Sequence, residues 1–173
     1  MMRNESSYLD EWLNYHYHFG VDHIILYDNN IDSEERERSR KIASKFKNVT
    51  FVEWDKYNDT VSYMGLKFHP DTYLGKKARY YGMNKQQYAY NDALKRCKKL
   101  GVKYLLKFDI DEFLVGDIKK LKQNLKDSVK IKRYDFGSNG HETRPDGLVI
   151  ENYYMREKEF SHYKELANVP FLT

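Results

Sequence analysis

A single cysteine, Cys97, is all the chain carries. That excludes an internal disulfide and a Cys-rich zinc site, and it suits a reducing compartment such as the cytoplasm. No apolar run approaches the ~20 residues needed to span a bilayer, and the opening Met1-Met2-Arg3-Asn4-Glu5 lacks the zoning of a signal peptide. Charge of one sign does not dominate either. Thirty basic residues stand against 26 acidic ones, and the excess of four is spread widely. Such a distribution reads as a solvated surface and argues against a nucleic-acid face. Several motifs are also missing. Without a Gly-x-Gly-x-x-Gly or Gly-Lys-Ser/Thr segment, NAD binding and P-loop chemistry are set aside. Neither a His-Glu-x-x-His zinc pattern nor a Gly-x-Ser-x-Gly nucleophile elbow occurs.

What the chain has is bulk and aromatic surface. Its 173 residues fit one domain with a real core, and sixteen Tyr and nine Phe within a 40% hydrophobic composition are groups for packing and ring stacking rather than for disorder.

Hydrophobic spacing predicts the elements. Leu9, Trp12, Leu13, His16 and Phe19 fall on one helical face over residues 8–19, with Ser6 or Ser7 as N-cap and Gly20 as stop. A buried strand over 21–27 then ends in the polar cluster Asp28-Asn29-Asn30, followed by a charged helix over 33–46 and a strand over 49–54. Residues 55–82 show no period and read as a long irregular excursion. Helical spacing returns over 84–100 and stops at Gly101. A short helix over 117–125 turns Ile118, Leu121 and Leu125 inward and Lys119, Lys120, Lys122 and Lys126 outward, a face suited to peripheral contact with an anionic membrane or simply to solvent. Strands are predicted over 129–134 and 148–154, and the tail from Met155 carries no firm pattern. Alternating helices and strands predict an α/β fold with a mixed, mostly parallel, Rossmann-like sheet flanked by helices.

The stretch Lys103 to Val115 organises this arrangement. Its apolar run reads as a central strand, and Asp109, Asp111 and Glu112 arrive where that strand should emerge, which is where an open α/β sheet binds ligands. In extended chain, Asp109 and Asp111 share a face and can hold one hard divalent cation, Mn²⁺ or Mg²⁺. This is not a calcium loop, since the sixth and twelfth positions from Asp109 are Leu114 and Lys120 instead of Gly and Glu. His16 and His23 read as packing or capping groups, whereas His141, in the turn-rich connection Gly137 to Gly147, could add a ring nitrogen to the metal.

Several separated segments then point to one family. They are Arg3-Asn4-Glu5, Tyr8-Leu9-x-Glu11-Trp12 with His16, Gly20-Val21-Asp22-His23, Tyr27-Asp28-Asn29-Asn30, Gln86-Gln87 with Ala89 to Leu94, Phe108 to Leu114, Phe136 to His141 and Gly147 to Glu151. Together they resemble the GT-A-type glycosyltransferases of family 92 and the family 2-like group over nearly the whole chain. The resemblance implies one GT-A domain over 1–173, shortened at both ends, and a hexosyltransferase using a nucleotide-diphosphate sugar, preferably a UDP-sugar. It implies a divalent metal on Asp109 and Asp111, and transfer to a glycan or other hydroxyl, usually with inversion. Asn4, Glu5, Asp28 and Asn29 would line the nucleotide, and Gln86, Gln87 and Asn91 the donor side. Glu142 and Asp146, with Glu151 behind them, are the candidate bases for the acceptor proton. Two other readings stay open on the residues alone: a non-catalytic nucleotide-sugar or glycan-binding module, and a phosphohydrolase with an aspartyl nucleophile.

Overall fold

A computed structural model describes residues 1–54, 61–63, 66–68, 85–125 and 128–171, the two short segments 61–63 and 66–68 and residue 171 by backbone alone. Helix α1 (Ser6–Phe19) ends at Gly20, whose φ of 101° lets its N–H reach the carbonyls of His16 and Tyr17. The left-handed conformation is one that glycine adopts without penalty. The N-cap position falls on Glu5, whose own side chain makes no cap hydrogen bond, and Glu35 Oε1 of the next helix accepts the Ser6 N–H at 2.8 Å instead. Strand β1 (Ile24–Asp28) pairs in parallel with β2 (Val49–Glu53) across α2 (Ser33–Ala43), which starts where Asp32 Oδ1 accepts the Glu34 N–H at 3.0 Å. Met2 extends this sheet on the other side of β1: its N–H donates to the Tyr27 carbonyl at 2.9 Å, and its own carbonyl accepts the Asn29 N–H at 3.0 Å.

Alternation along β1 builds two apolar layers. Ile24 and Leu26 face Leu9, Trp12, Leu13 and Ala43 of the first two helices, together with Met2 and Ile110. On the opposite side, Tyr27 packs with Trp54 and with Ala89 and Ala93 of α3 (Lys85–Lys99). Ala89, Ala93 and Cys97 recur every four residues on the buried face of α3, and small side chains there let the helix lie close to the sheet.

The rest of the sheet structure differs from the expectation of a mostly parallel sheet. Strand β5 (Tyr104–Leu106) is three residues long and does not join β1 and β2. It pairs antiparallel with β7 (His162–Asn168), which in turn pairs antiparallel with β6 (Val129–Arg133), giving the order β5-β7-β6. A separate hairpin joins β3 (Val61–Tyr63) and β4 (Leu66–Phe68) inside the expected excursion, whose other residues lie outside the described ones. The fold is mixed α/β, and among the described residues the strands form a parallel pair, an antiparallel pair and an antiparallel trio. The tail that carried no pattern supplies the middle strand of that trio. Residues 149–152, read as strand, instead form the short helix α5 (Val149–Asn152), because Glu11 of α1 accepts the N–H groups of Val149 at 2.8 Å and Ile150 at 3.2 Å. Helix α4 (Ile118–Asn124) exposes Lys119, Lys120 and Lys122 as expected, but Lys122 is committed to Asp22 at 2.6 Å and to the Gly20 carbonyl at 2.9 Å. Lys126 lies outside the described residues. Among the described residues, no helix is long and apolar enough to cross a membrane.

Candidate active site

The acidic stretch is held by one face of α1. Trp12, Tyr15 and His16 are spaced i, i+3, i+4, so they project together. Trp12 Nε1 donates to the Glu112 carbonyl at 2.9 Å, the Tyr15 hydroxyl donates to the Leu114 carbonyl at 2.6 Å, and His16 Nε2 accepts the Leu114 N–H at 3.3 Å. Phe108 packs on Trp12 and His16 at ring separations of 5.1 and 5.0 Å, and Phe113 meets Tyr15 edge-on at 5.1 Å. His16 is fully buried, and its Nδ1 contacts the Trp12 carbonyl at 2.8 Å. Accepting at Nε2 and donating at Nδ1 requires the neutral ring, and burial lowers its pKa to about 4. His16 is therefore a packing group, in line with the expectation.

Between these anchors the backbone turns. The Glu112 N–H donates to the Asp109 carbonyl at 3.2 Å, and Glu112 Oε2 accepts the Asp109 N–H at 2.9 Å. This closed turn replaces the expected extended strand end. Ile110 is buried in the α1 layer, whereas Asp111 is exposed and the Asp109 side chain is 42% exposed, so both acids still reach solvent, from a turn instead of an extended strand. Glu112 has a separate task. Its carboxylate takes Lys164 Nζ at 2.9 Å and Arg133 Nη1 at 3.4 Å, and Lys164 also reaches Asp109 Oδ2 at 3.3 Å. Burial alone would lower the pKa of Lys164, but Glu112 and Asp109 outweigh it and raise it, so the side chain is a cation.

Glu5 converges on the same place from the N-terminal side. Its carboxyl pKa is raised by burial and by the charges of Asp111 and Asp109, against the Arg3 N–H, which donates to it at 3.1 Å. Asn4 adopts a left-handed φ of 58° and donates its N–H to Asn30 Oδ1 at 2.6 Å. Asp28, expected beside a nucleotide, is fully buried. Its Oδ1 accepts from Asn30 N at 3.1 Å and Nδ2 at 2.6 Å, and its Oδ2 faces Arg36 Nε at 3.4 Å. Burial raises its pKa against these partners. In this arrangement Asp28 is joined to Asn4 through Asn30. Asn29 is half-buried and tied to Met2 through its backbone. An open polar depression of about 510 Å³ lies alongside, lined by Asn4, Ser6, Ser7, Asp32, Glu35 and Arg38.

On the donor side, Gln86 Nε2 donates to the Tyr90 hydroxyl at 2.6 Å. Lys107 Nζ lies 4.6 Å over the Tyr90 ring, so this first stretch of α3 meets the chain two residues before Asp109, and burial and then Asp109 raise the Tyr90 pKa. Gln87 and Asn91 are exposed on the same helix. The connection carrying His141, Glu142 and Asp146 docks back on α1. Arg144 donates to the Ser7 carbonyl at 3.0 Å and lies 4.2 Å over the Tyr8 ring, and Glu11 binds the start of α5. Glu142, Asp146 and Glu151 are exposed there. His141 packs against Tyr153 at 5.5 Å.

Among the described residues, no three His, Cys, Asp or Glu side chains form a metal cage. A pair of exposed carboxylates still fits a hard divalent ion, which commonly takes one or two carboxylates and fills its remaining positions with water and substrate phosphate oxygens. Asp109 and Asp111 fit that description. The sequence reading missed Lys164, Arg133 and Tyr90 and gave Glu112 no task of its own. The first two lie on strands remote in the chain, and no local pattern marks Lys164.

No curated protein and no solved structure matches the chain. The model of one family does, over residues 2–169, a span that takes in the Asn4-Glu5 corner, the acidic turn, the docked 137–153 connection and the strand that carries Lys164. A match over nearly the whole length leaves no part of this site outside it, and the chain belongs to glycosyltransferase family 92 and is a glycosyltransferase.

Proposed function

We propose that this glycosyltransferase moves a hexose from a nucleotide-diphosphate sugar, preferably a UDP-sugar, to a hydroxyl of a glycan, with inversion at the anomeric carbon and on a GT-A-type framework. The observation that carries the reading is that Asp109 and Asp111 reach solvent from a turn that Trp12 and Tyr15 of α1 lock in place. Asp109 and Asp111 would hold Mn²⁺ or Mg²⁺. Such an ion supplies positive charge against the diphosphate as it leaves.

The chain's own residues do the remaining work. Asn4 and Glu5, held by Asn30 and Asp28, border the nucleotide, and Gln86 and Tyr90 border the donor from α3. As the acceptor oxygen forms its bond to the anomeric carbon, its proton passes to a carboxylate. The electron pair of the broken C–O bond departs on the diphosphate. Glu142 and Asp146 are the candidate acceptors of that proton, because their connection is fastened to Ser7, Tyr8 and Glu11, within two turns of Glu5.

A screen of UDP- and GDP-sugars, read as released nucleotide, tests the activity. Calorimetry with UDP and Mn²⁺ on the protein and on Asp109→Ala tests the site. Nucleotide release with metal-dependent UDP binding that Asp109→Ala removes is the expected result. UDP binding indifferent to both Mn²⁺ and Asp109, or phosphate release from simple monoesters in its place, overturns the reading.

A further inference from the structure

Lys164 stands where the proposed cation would act. Its Nζ lies 3.3 Å from Asp109 Oδ2 and 2.9 Å from Glu112 Oε2, and its side chain is largely covered, with 26% exposure. The two contacts are not equivalent. Glu112 is enclosed, at 18% exposure, and is held besides by Arg133 and by the Asp109 N–H, whereas Asp109 is open at 42%. A divalent ion approaching Asp109 from solvent meets an ammonium already paired with it. Like charges repel, so the ammonium on Oδ2 weakens the hold of Asp109 on the ion.

Loss of Asp109 leaves Lys164 anchored by Glu112. An ammonium has three N–H donors, and one held by Glu112 leaves donors free for an anionic oxygen arriving with the cation. We propose that Lys164 is an internal counter-ion of the acidic turn: it neutralises Asp109 before loading, yields it to the divalent ion, and then donates to the diphosphate of the bound nucleotide. The inference rests on the reading that Asp109 and Asp111 take a cation together with a nucleotide diphosphate. It adds a residue on a remote strand, β7, to that site.

Two measurements test it at one fixed pH. In the first, Mn²⁺ is titrated without nucleotide, by the loss of its free-ion electron paramagnetic resonance signal, against the protein, Lys164→Gln and Lys164→Arg. Removing the competing charge should tighten Mn²⁺ roughly tenfold in Lys164→Gln and weaken UDP binding in the presence of saturating Mn²⁺ by a similar factor, while Lys164→Arg restores both towards the parent. In the second, which needs no variant to fold, the unmodified protein is treated with an amine-acetylating reagent and the peptide holding Lys164 is quantified by mass spectrometry. Acetylation of Lys164 should rise when Mn²⁺ is added and fall again when UDP joins it. Equal Mn²⁺ affinity in Lys164→Gln and the parent, or acetylation of Lys164 that neither addition changes, overturns the counter-ion role while leaving the cation site standing. Absence of Mn²⁺ binding to parent and variant alike, with and without UDP, overturns both.

Discussion

The backbone N–H of Asn4 donates to Asn30 Oδ1 at 2.6 Å, and Asn30 is itself clamped at its other end by Asp28 through Nδ2 at 2.6 Å. The relay explains how a fully buried acid can matter to a surface site. It places a structural demand on β1, whose last residue is Asp28, and a conformational one on Asn4, held at a φ of 58°.

Asp28→Asn should therefore act in two ways. It removes one of the carboxylates facing Arg36, which keeps Glu53 at 3.9 Å, and weakens the grip on Asn30, a loss of about 2 kcal/mol in urea unfolding, below the larger cost of a wholly buried pair because Arg36 is partly exposed. It should also weaken UDP binding. Asn30→Ala should weaken UDP binding to a similar extent with a smaller loss of stability. A strong effect of Asp28→Asn on UDP with none from Asn30→Ala would mean that Asp28 touches the nucleotide itself, against the relay.

Stability should also depend on pH through His16. Its folded pKa of about 4 lies below the ordinary 6.5, because burial disfavours the imidazolium. Between those values the unfolded chain binds the proton and the folded one does not, so stability falls as pH drops through this window. The full difference is about 3 kcal/mol, and it is absent above the unfolded pKa. Glu5 and Asp28, whose pKa values are raised, shift stability in the opposite direction at acid pH. The comparison must therefore be the difference between the protein and His16→Gln in urea unfolding from pH 7 to 4. A difference curve flat over that range would show that His16 is not buried as a neutral ring.

Much of the first half was legible because its signals are local. Leu9, Trp12 and Leu13 mark a helical face, Gly20 a stop, and Ile24 to Leu26 a buried strand, and each element forms close to where its pattern lies. Where partners are remote, the reading failed. Leu148 to Tyr154 is rich in β-forming residues, yet the carboxylate of Glu11 captures the N–H groups of Val149 and Ile150 and turns the segment helical. The apolar run from Lys103 promised a long strand, but only Tyr104 to Leu106 find a partner in β7, and Phe108 and Phe113 leave the strand to pack on α1. Asp109 and Asp111 were readable as a pair. Lys164 was not, since nothing near it in the chain announces acids 55 residues away.

Tyr15→Phe isolates the clamp on the acidic turn. The substitution keeps the ring that meets Phe113 edge-on and removes only the hydroxyl that donates to the Leu114 carbonyl at 2.6 Å. A cost of about 1 kcal/mol is expected in urea unfolding. Because Leu114 follows the acids by three residues, the turn should loosen as well, and the UDP affinity measured with Mn²⁺ should fall severalfold. Unchanged UDP affinity alongside the expected loss of stability would confine Tyr15 to the core.

The choice of base is decided by kinetics that separate proton transfer from binding. Glu142 and Asp146 share the connection that Arg144 pins to Ser7, and both are exposed, so neutralising either should leave the fold intact. At the true base, the acid-to-amide change, Glu142→Gln or Asp146→Asn, removes the group that takes the acceptor proton. It should lower kcat by roughly 10²–10⁴-fold and abolish the acidic limb of the pH–rate profile. UDP binding with Mn²⁺ should not change, because a base acts on the acceptor proton and not on the nucleotide. The other substitution should leave kcat within a few-fold of the parent. If both variants keep full activity and the acidic limb, the proton goes elsewhere, and Glu151, four residues past Gly147 on α5, becomes the next acid to neutralise.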